Sequence, residues 1–214
     1  MKITFVRHAE IAGDPFICPE RPVKGSLSEK GVKQAKLLAK TLKGEKFDLA
    51  ISSSYGRALQ TAEIVLNGRK TPIRICDFMK EWMPDRHLEK LPKTEFEAIQ
   101  KLASGFHAEE TWKTDLGEGC FDMYARICPA FLKELDKIGI HARLGGYVVD
   151  KKAKDLSIAV FAHGGSLNVL LSFILELRPF PIGRFAFEQT GYATVKFQEC
   201  KGISYPTLCF PAPK

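Results

Sequence analysis

The stretch Phe5-Val6-Arg7-His8-Ala9-Glu10 closes the first apolar run of the chain. Residues Lys2 to Val6 are rich in β-branched and aromatic side chains, which predicts a short buried strand. An Arg-His pair follows at the point where this strand ends. In an open α/β sheet, ligands bind in the crevice beyond the carboxyl ends of the strands. The planar fork of a guanidinium beside a nucleophilic imidazole nitrogen suits a phosphoryl group at such a place.

Two later stretches repeat the pattern of a strand followed by a polar helix start. Leu49 to Ala62 runs from a predicted strand into a helix with Arg57 in its first turn, where unpaired amides and the helix dipole favour an anion. Ile158 to Ser166 runs from an apolar strand through His163-Gly164-Gly165 into another helix. The backbone amides of the two glycines are candidate donors to the same anion. We therefore expect both stretches to meet the Arg-His pair at one site.

The combination resembles the histidine phosphatase (phosphoglycerate mutase-like) superfamily, in its phosphatase branch. The resemblance rests on Arg7-His8, Leu27-Ser28-Glu29-Lys30-Gly31, Ser52-Ser53, Arg57-Ala58, Gln60-Thr61-Ala62 and His163-Gly164-Gly165. It implies a three-layer α/β/α sandwich around a mixed sheet and hydrolysis of phosphomonoesters without a metal ion or other cofactor. It assigns His8 as the nucleophile that becomes phosphohistidine, and it places the phosphate on Arg7, Arg57 and a cationic His163.

A leaving alkoxide needs a proton, so a carboxyl group with a raised pKa is expected near the site. Lys80-Glu81-Trp82 resembles the family element that follows the third strand, and it nominates Glu81 as the acid. Glu10 is the second candidate because it lies two residues after His8, and Asp14 and Glu118 follow.

The proline- and glycine-rich segment 11–26 predicts a loop over the site. Asp14 occupies a position where family members often carry a phosphate-binding Asn, which is a departure from the family pattern. Arg21 and Lys24 are either substrate contacts or surface residues of this loop. Together with Glu10 and Asp14, they are the possible substrate contacts.

At 214 residues the chain suits one α/β domain, 1–214. The irregular segment 77–119 predicts an inserted cap beside the site, and residues 139–155 predict an extra hairpin or loop of unknown purpose. Further strands are expected at 47–52, 72–76, 193–197 and, as an edge strand, 204–210. Helices are expected from a Ser28 cap to Gly44, after a Ser53 or Ser54 cap, and at 121–138.

Composition limits the classes of partner. No apolar run reaches the roughly 18 residues of a membrane span, and we expect no secretory signal before the first strand. The six cysteines form no Cys-x-x-Cys pair, which favours free thiols in the cytoplasm over a zinc site. The net charge of +7 would attract an anionic substrate, but no basic block is interleaved with aromatic residues, so nucleic-acid binding is not expected.

The main prediction is a phosphatase acting on a phosphorylated small molecule. The alternatives are a phosphoglycerate mutase-type phosphotransferase and a protein that binds phosphorylated ligands without turnover. The residues after Glu81, Met83-Pro84-Asp85-Arg86, do not resemble the mutase pattern. The sequence predicts neither the natural substrate nor the oligomeric state.

Overall fold

The computed structural model describes residues 1–13, 25–83, 91–92, 94–95, 97–99, 117–143, 145–177 and 184–209. The loop residues Asp14, Arg21 and Lys24 and most of the predicted cap lie outside the described residues. The cap residues that are described include a 3₁₀ turn at Asp77–Met79 and helical residues at 94–95 and 97–99.

Eight strands form one mixed sheet in the order β3-β2-β6-β1-β7-β8-β5-β4. They are β1 (Lys2–Arg7), β2 (Leu49–Ser53), β3 (Ile73–Cys76), β4 (Ile140–Arg143), β5 (Gly146–Val149), β6 (Ser157–Ala162), β7 (Tyr192–Cys200) and β8 (Ile203–Cys209). The pairs among β1, β2, β3 and β6 are parallel, whereas every pair that involves β4, β5, β7 or β8 is antiparallel.

Among the described residues, two helices cover each face of the sheet, which confirms the predicted three-layer sandwich. The helices are α1 (Glu29–Thr41), α2 (Gly56–Val65), α3 (Cys120–Asp136) and α4 (Gly164–Ile174). Alternation along β1 divides the core, because Phe5 joins the cluster under α3 and α4 while Val6 joins the cluster under α1 and α2. Phe161 of β6 lies on the same face as Val6, and Val160 lies on the other.

Several local predictions are confirmed and two are wrong. Ser28 caps α1, since its Oγ accepts a hydrogen bond from Gly31 N at 2.9 Å, and the extra hairpin exists as β4–β5. Helix α2 is not capped by a serine: its N-cap is Tyr55, whose own N–H donates to Ser53 Oγ at 3.2 Å. Strand β8 is not an edge strand, because the hairpin adds two strands outside it and leaves β4 at the edge.

The parallel strands bring the predicted site together at one edge of the sheet. Arg7 is paired with Ala162 across β1 and β6, and Ser52 is paired with Phe161 across β2 and β6. The next residues along the three strands are His8, His163 and Ser53, so they leave the sheet side by side. This juxtaposition follows from strand register, because carboxyl ends of adjacent parallel strands share an edge.

Two global features accompany this fold. No helix among the described residues has both the length and the apolar composition needed to cross a membrane. The described cysteines, Cys76, Cys120, Cys128, Cys200 and Cys209, are free thiols.

Candidate active site

His8 is held as a neutral imidazole with its Nε2 directed away from the backbone bond. Its Nδ1 lies 2.8 Å from the carbonyl oxygen of Ala9, and a carbonyl only accepts, so Nδ1 carries the proton and Nε2 keeps its lone pair. Burial and the neighbouring guanidiniums of Arg57 and Arg7 lower the pKa of His8 to about 3. The residue is only 8% exposed, and its ring lies 5.1 Å from that of His163.

His163 follows β6 and is completely buried between a donor and a hydroxyl. Arg57 Nε donates to His163 Nδ1 at 3.1 Å, and His163 Nε2 lies 2.9 Å from Ser53 Oγ. Because Nδ1 accepts, the proton is on Nε2 and donates to the serine. Burial, followed by the charges of Arg57 and other neighbours, lowers the pKa of His163 well below its usual value. The prediction of a cationic His163 is therefore wrong for this geometry.

The two arginines approach the histidines from different elements. Arg57, in the first turn of α2, is buried, and its guanidinium lies 4.8 Å from the centre of the Tyr55 ring. Burial lowers its pKa, and the charge of Glu81 opposes that shift. Arg7 Nη1 donates to Phe187 O at 2.5 Å, while its buried Nε has no acceptor among the described residues. That unpaired donor is a natural position for an anionic oxygen.

Glu81 binds the N-terminus of helix α4, immediately after His163. Its Oε2 accepts from Gly165 N at 2.9 Å, and its Oε1 accepts from Ser166 N and Trp82 N, each at 3.0 Å. A Cβ at position 165 would lie 2.5 Å from Glu81 Oε1, so a side chain there would displace this carboxylate. The predicted phosphate donor Gly165 N is thus engaged by Glu81, whereas Gly164 packs against the Arg7 guanidinium.

Glu10 faces helix α1 instead of the histidines. Its carboxylate accepts from Ser28 Oγ at 2.8 Å and from Lys30 Nζ at 2.6 Å. These hydrogen bonds lower the pKa of Glu10, which is the opposite of the shift that a general acid needs. Position separates the two leading candidates, because Glu81 lies at the start of α4 just after His163, whereas Glu10 is directed towards α1.

Of the remaining candidate site residues, the structure describes only Glu118. Glu118 accepts hydrogen bonds from Arg126 Nε and Nη2, both at 2.6 Å. Its carboxylate is therefore engaged in an ion pair beside the site. Asp14, Arg21 and Lys24 lie outside the described residues, so their assignment as substrate contacts stays a prediction.

Three supporting residues were not assigned these roles from the sequence. Thr61 Oγ1 accepts from Ala9 N at 3.0 Å and donates to Arg57 O at 2.7 Å, so it joins the nucleophile loop to α2. Ser53 anchors His163, and Arg126 contacts the Glu81 segment from helix α3. Ser53 and Thr61 are polar residues in segments predicted to be buried, and this pattern indicates that their hydroxyl groups have hydrogen-bond partners. No local pattern marks Arg126.

The arrangement combines a neutral nucleophile with fixed positive charge. A phosphoryl group beside His8 Nε2 would meet two guanidiniums and the start of α4, the elements that stabilise transferring oxygens. Among the described residues, no group of three or more His, Cys, Asp or Glu side chains is placed to hold a metal ion.

Known proteins match the chain along most of its length. The family model of the histidine phosphatase superfamily (branch 1) matches residues 3–204. Adenosylcobalamin/α-ribazole phosphatase of Salmonella typhi is 26% identical over 95% of this chain and 93% of its own. Phosphoserine phosphatase 1 of Hydrogenobacter thermophilus is 31% identical over 95% of this chain and 90% of its own.

Two further matches give the breadth of the comparison. The 2,3-bisphosphoglycerate-dependent phosphoglycerate mutase of Methanococcus vannielii is 27% identical over 82% of this chain and 81% of its own. A solved structure of mycobacterial glucosyl-3-phosphoglycerate phosphatase superposes with a TM-score of 0.71 at 18% identity, covering 100% of this chain and 99% of that one. At that identity the structural match bears on the fold alone.

Proposed function

The chain belongs to the histidine phosphatase superfamily and is a phosphomonoester hydrolase, and we propose that its covalent phosphohistidine forms on His8. The observation that carries the assignment is the hydrogen bond from His8 Nδ1 to Ala9 O at 2.8 Å. This bond fixes the tautomer that leaves Nε2 free to attack phosphorus, and burial keeps the ring unprotonated.

The cations supply most of the transition-state stabilisation. Charge spreads over the equatorial oxygens of a transferring phosphoryl group, so positioned donors matter more than covalent chemistry. Two arginines provide these donors: Arg57, whose Nε donates to His163 Nδ1 at 3.1 Å, and Arg7, whose buried Nε has no partner among the described residues. Gly164 N adds a backbone donor at the start of α4. His163 acts as a neutral residue that orients Arg57 and donates to Ser53.

Glu81 is the proposed general acid. Its carboxyl group lies at the N-terminus of α4, against the residue two positions after His163, and its ionised form acts electrostatically on Arg57. In the first step the protonated Glu81 carboxyl group gives its proton to the leaving alkoxide, and in the second step the resulting carboxylate takes a proton from the water that attacks phosphohistidine. Both steps use the same carboxyl group, which regains its starting state after each turnover.

The covalent intermediate gives the direct test. Wild-type protein mixed with ³²P-labelled substrate and quenched within milliseconds should carry label that survives alkali and is lost in acid, as a phosphoramidate does. His8→Ala should carry no label and show no turnover, while its circular dichroism matches that of the wild type. Label on a serine, cysteine or aspartate would overturn the assignment.

The same preparation should keep its activity in EDTA, because the arginines supply the positive charge at the site. Loss of activity in EDTA that Mg²⁺ or Zn²⁺ restores would contradict this.

The alternatives are distinguished by turnover. A protein that only binds phosphorylated ligands would fail to release phosphate from p-nitrophenyl phosphate. The match to a phosphoglycerate mutase favours isomerisation as the second candidate activity, which an assay with 3-phosphoglycerate separates from hydrolysis.

The substrate is proposed to be a phosphorylated small molecule in the cytoplasm. The named relatives act on α-ribazole phosphate esters, phosphoserine and glucosyl-3-phosphoglycerate according to their names, so the phosphate is shared and the alcohol varies. We expect the cap at 77–119, with Asp14, Arg21 and Lys24, to choose the alcohol. A panel of phosphorylated metabolites screened with purified protein tests this expectation.

A further inference from the structure

We propose that Arg126, on helix α3, is a positioning residue that holds Glu81 in place for proton transfer; the proposal rests on the assignment of Glu81 as the general acid. Arg126 lies outside the set of residues that meet the phosphoryl group. Its contacts are with the segment that carries the acid.

The segment that carries Glu81 has little regular structure of its own. Strand β3 ends at Cys76, and after the 3₁₀ turn at Asp77–Met79 the residues 80–83 belong to no helix or strand. An acid on such a segment needs other contacts to fix its position, since a displacement of about 1 Å costs roughly 10²-fold in rate.

Arg126 supplies those contacts with its whole guanidinium. Nη1 donates to Phe78 O at 2.8 Å and to Lys80 O at 3.1 Å, and Nη2 donates to Glu81 O at 3.3 Å. Nε and Nη2 each donate to the Glu118 carboxylate at 2.6 Å. All five N–H donors of the planar fork are therefore used, and three of them bind carbonyls of the 78–81 backbone.

Glu118 extends the same network to the other side of Glu81. Its Oε2 accepts from Met83 N at 3.0 Å, and its backbone oxygen accepts from the Trp82 indole. The ion pair is largely shielded, with Arg126 19% and Glu118 11% exposed. The backbone is thus fixed on both sides of the acid, while the Glu81 carboxylate rests on helix α4.

A lysine cannot replace this fork, because an ammonium offers three donors around one point and cannot span the carbonyls and a bidentate carboxylate. Arg74 of β3 is a matched control. It donates to Glu134 of helix α3 at 2.5 Å, so it is also an arginine in an ion pair with α3, but this pair does not contact the Glu81 segment.

The test compares kcat/KM for glycerol 2-phosphate, an alkyl ester that needs a proton on its leaving oxygen, with kcat/KM for p-nitrophenyl phosphate. Arg126→Met should reduce the alkyl value by about 10–100-fold and the nitrophenyl value by at most about threefold. Arg126→Lys should show the same selectivity at smaller size, and Arg74→Met should leave the ratio unchanged.

The decisive measurement is the double variant. In a Glu81→Gln background, Arg126→Met should cause no further selective loss, because its effect passes through Glu81. Additive selective losses, equal losses on both substrates, or a wild-type ratio in Arg126→Lys would overturn the proposal. So would failure of both Arg126 variants to fold, since the residue would then be structural. A Glu81→Gln single variant without leaving-group selectivity would instead refute the acid assignment itself.

Discussion

The neutral state of His8 predicts a specific dependence of stability on pH. An unfolded histidine has a pKa of about 6.5, whereas burial and the adjacent arginines lower the folded value to about 3. Between these values the unfolded chain binds a proton that the folded protein excludes. Stability is therefore lost as the pH falls from 6.5 towards 3, and no such loss arises from His8 above pH 7.

The magnitude at pH 5 depends almost entirely on the unfolded state. At pH 5 the pH is about 1.5 units below the unfolded pKa, and each unit corresponds to about 1.36 kcal/mol. The protonation of His8 in the unfolded chain therefore lowers the free energy of unfolding by about 2 kcal/mol. Any folded pKa below about 4 gives nearly the same value. The pKa of His163 is lowered in the same way, whereas the pKa of the half-buried His141 is raised by Asp136 and its effect on stability has the opposite sign. A comparison of variants removes both contributions.

The perturbation is His8→Asn, because an asparagine amide can still donate to Ala9 O but does not titrate. Free energies of unfolding are measured by denaturant titration at pH 7 and pH 5, in buffers without phosphate. The wild type should lose about 2 kcal/mol more than His8→Asn between these pH values. If both proteins lose the same amount, the folded site accepts the proton, and the argument for a neutral nucleophile fails.

Two further predictions test the helix packing beside the nucleophile and the choice between activities. Gly31→Ala should destabilise the protein by about 1–3 kcal/mol in denaturant titration, because its Cβ would lie 2.0 Å from Glu10 O, whereas Gly44→Ala, with nothing within 4 Å, should be neutral. Equal stabilities would show that α1 can move away. With 3-phosphoglycerate and 2,3-bisphosphoglycerate, phosphate release should exceed isomerisation, since a mutase must shield phosphohistidine from water behind its cap; faster isomerisation would assign the chain to the mutase class.

Sequence reasoning located the parts of the site that depend on local pattern. His8, Arg57 and His163 each follow an apolar strand, and the register of β1, β2 and β6 brings them together as predicted. The glycine of the Leu27–Gly31 motif has a physical reason that the sequence alone does not show: the backbone of Glu10 passes where a side chain would stand.

What sequence reasoning missed depends on contacts between distant segments. The protonation of His163 follows from the Arg57 Nε donor and complete burial, neither of which is visible in a strand-loop-helix pattern. The choice between Glu10 and Glu81 as the general acid depends on the contacts of Ser28 and Lys30, which bind the Glu10 carboxylate. The place of β8 depended on the β4–β5 hairpin, whose position in the sheet has no local signature.

The central position of β1 has a consequence for how the protein is made. The ribosome delivers β1 before the other strands of the sheet, but its neighbours are β6, which begins at Ser157, and β7, which begins at Tyr192. At about 5–20 residues per second, about 8–30 s separate the emergence of β1 from that of β6. Throughout that time an apolar strand with two open edges requires protection from other chains. His8 therefore meets His163 only after β6 has emerged, so a nascent chain stalled before His163 carries no complete site.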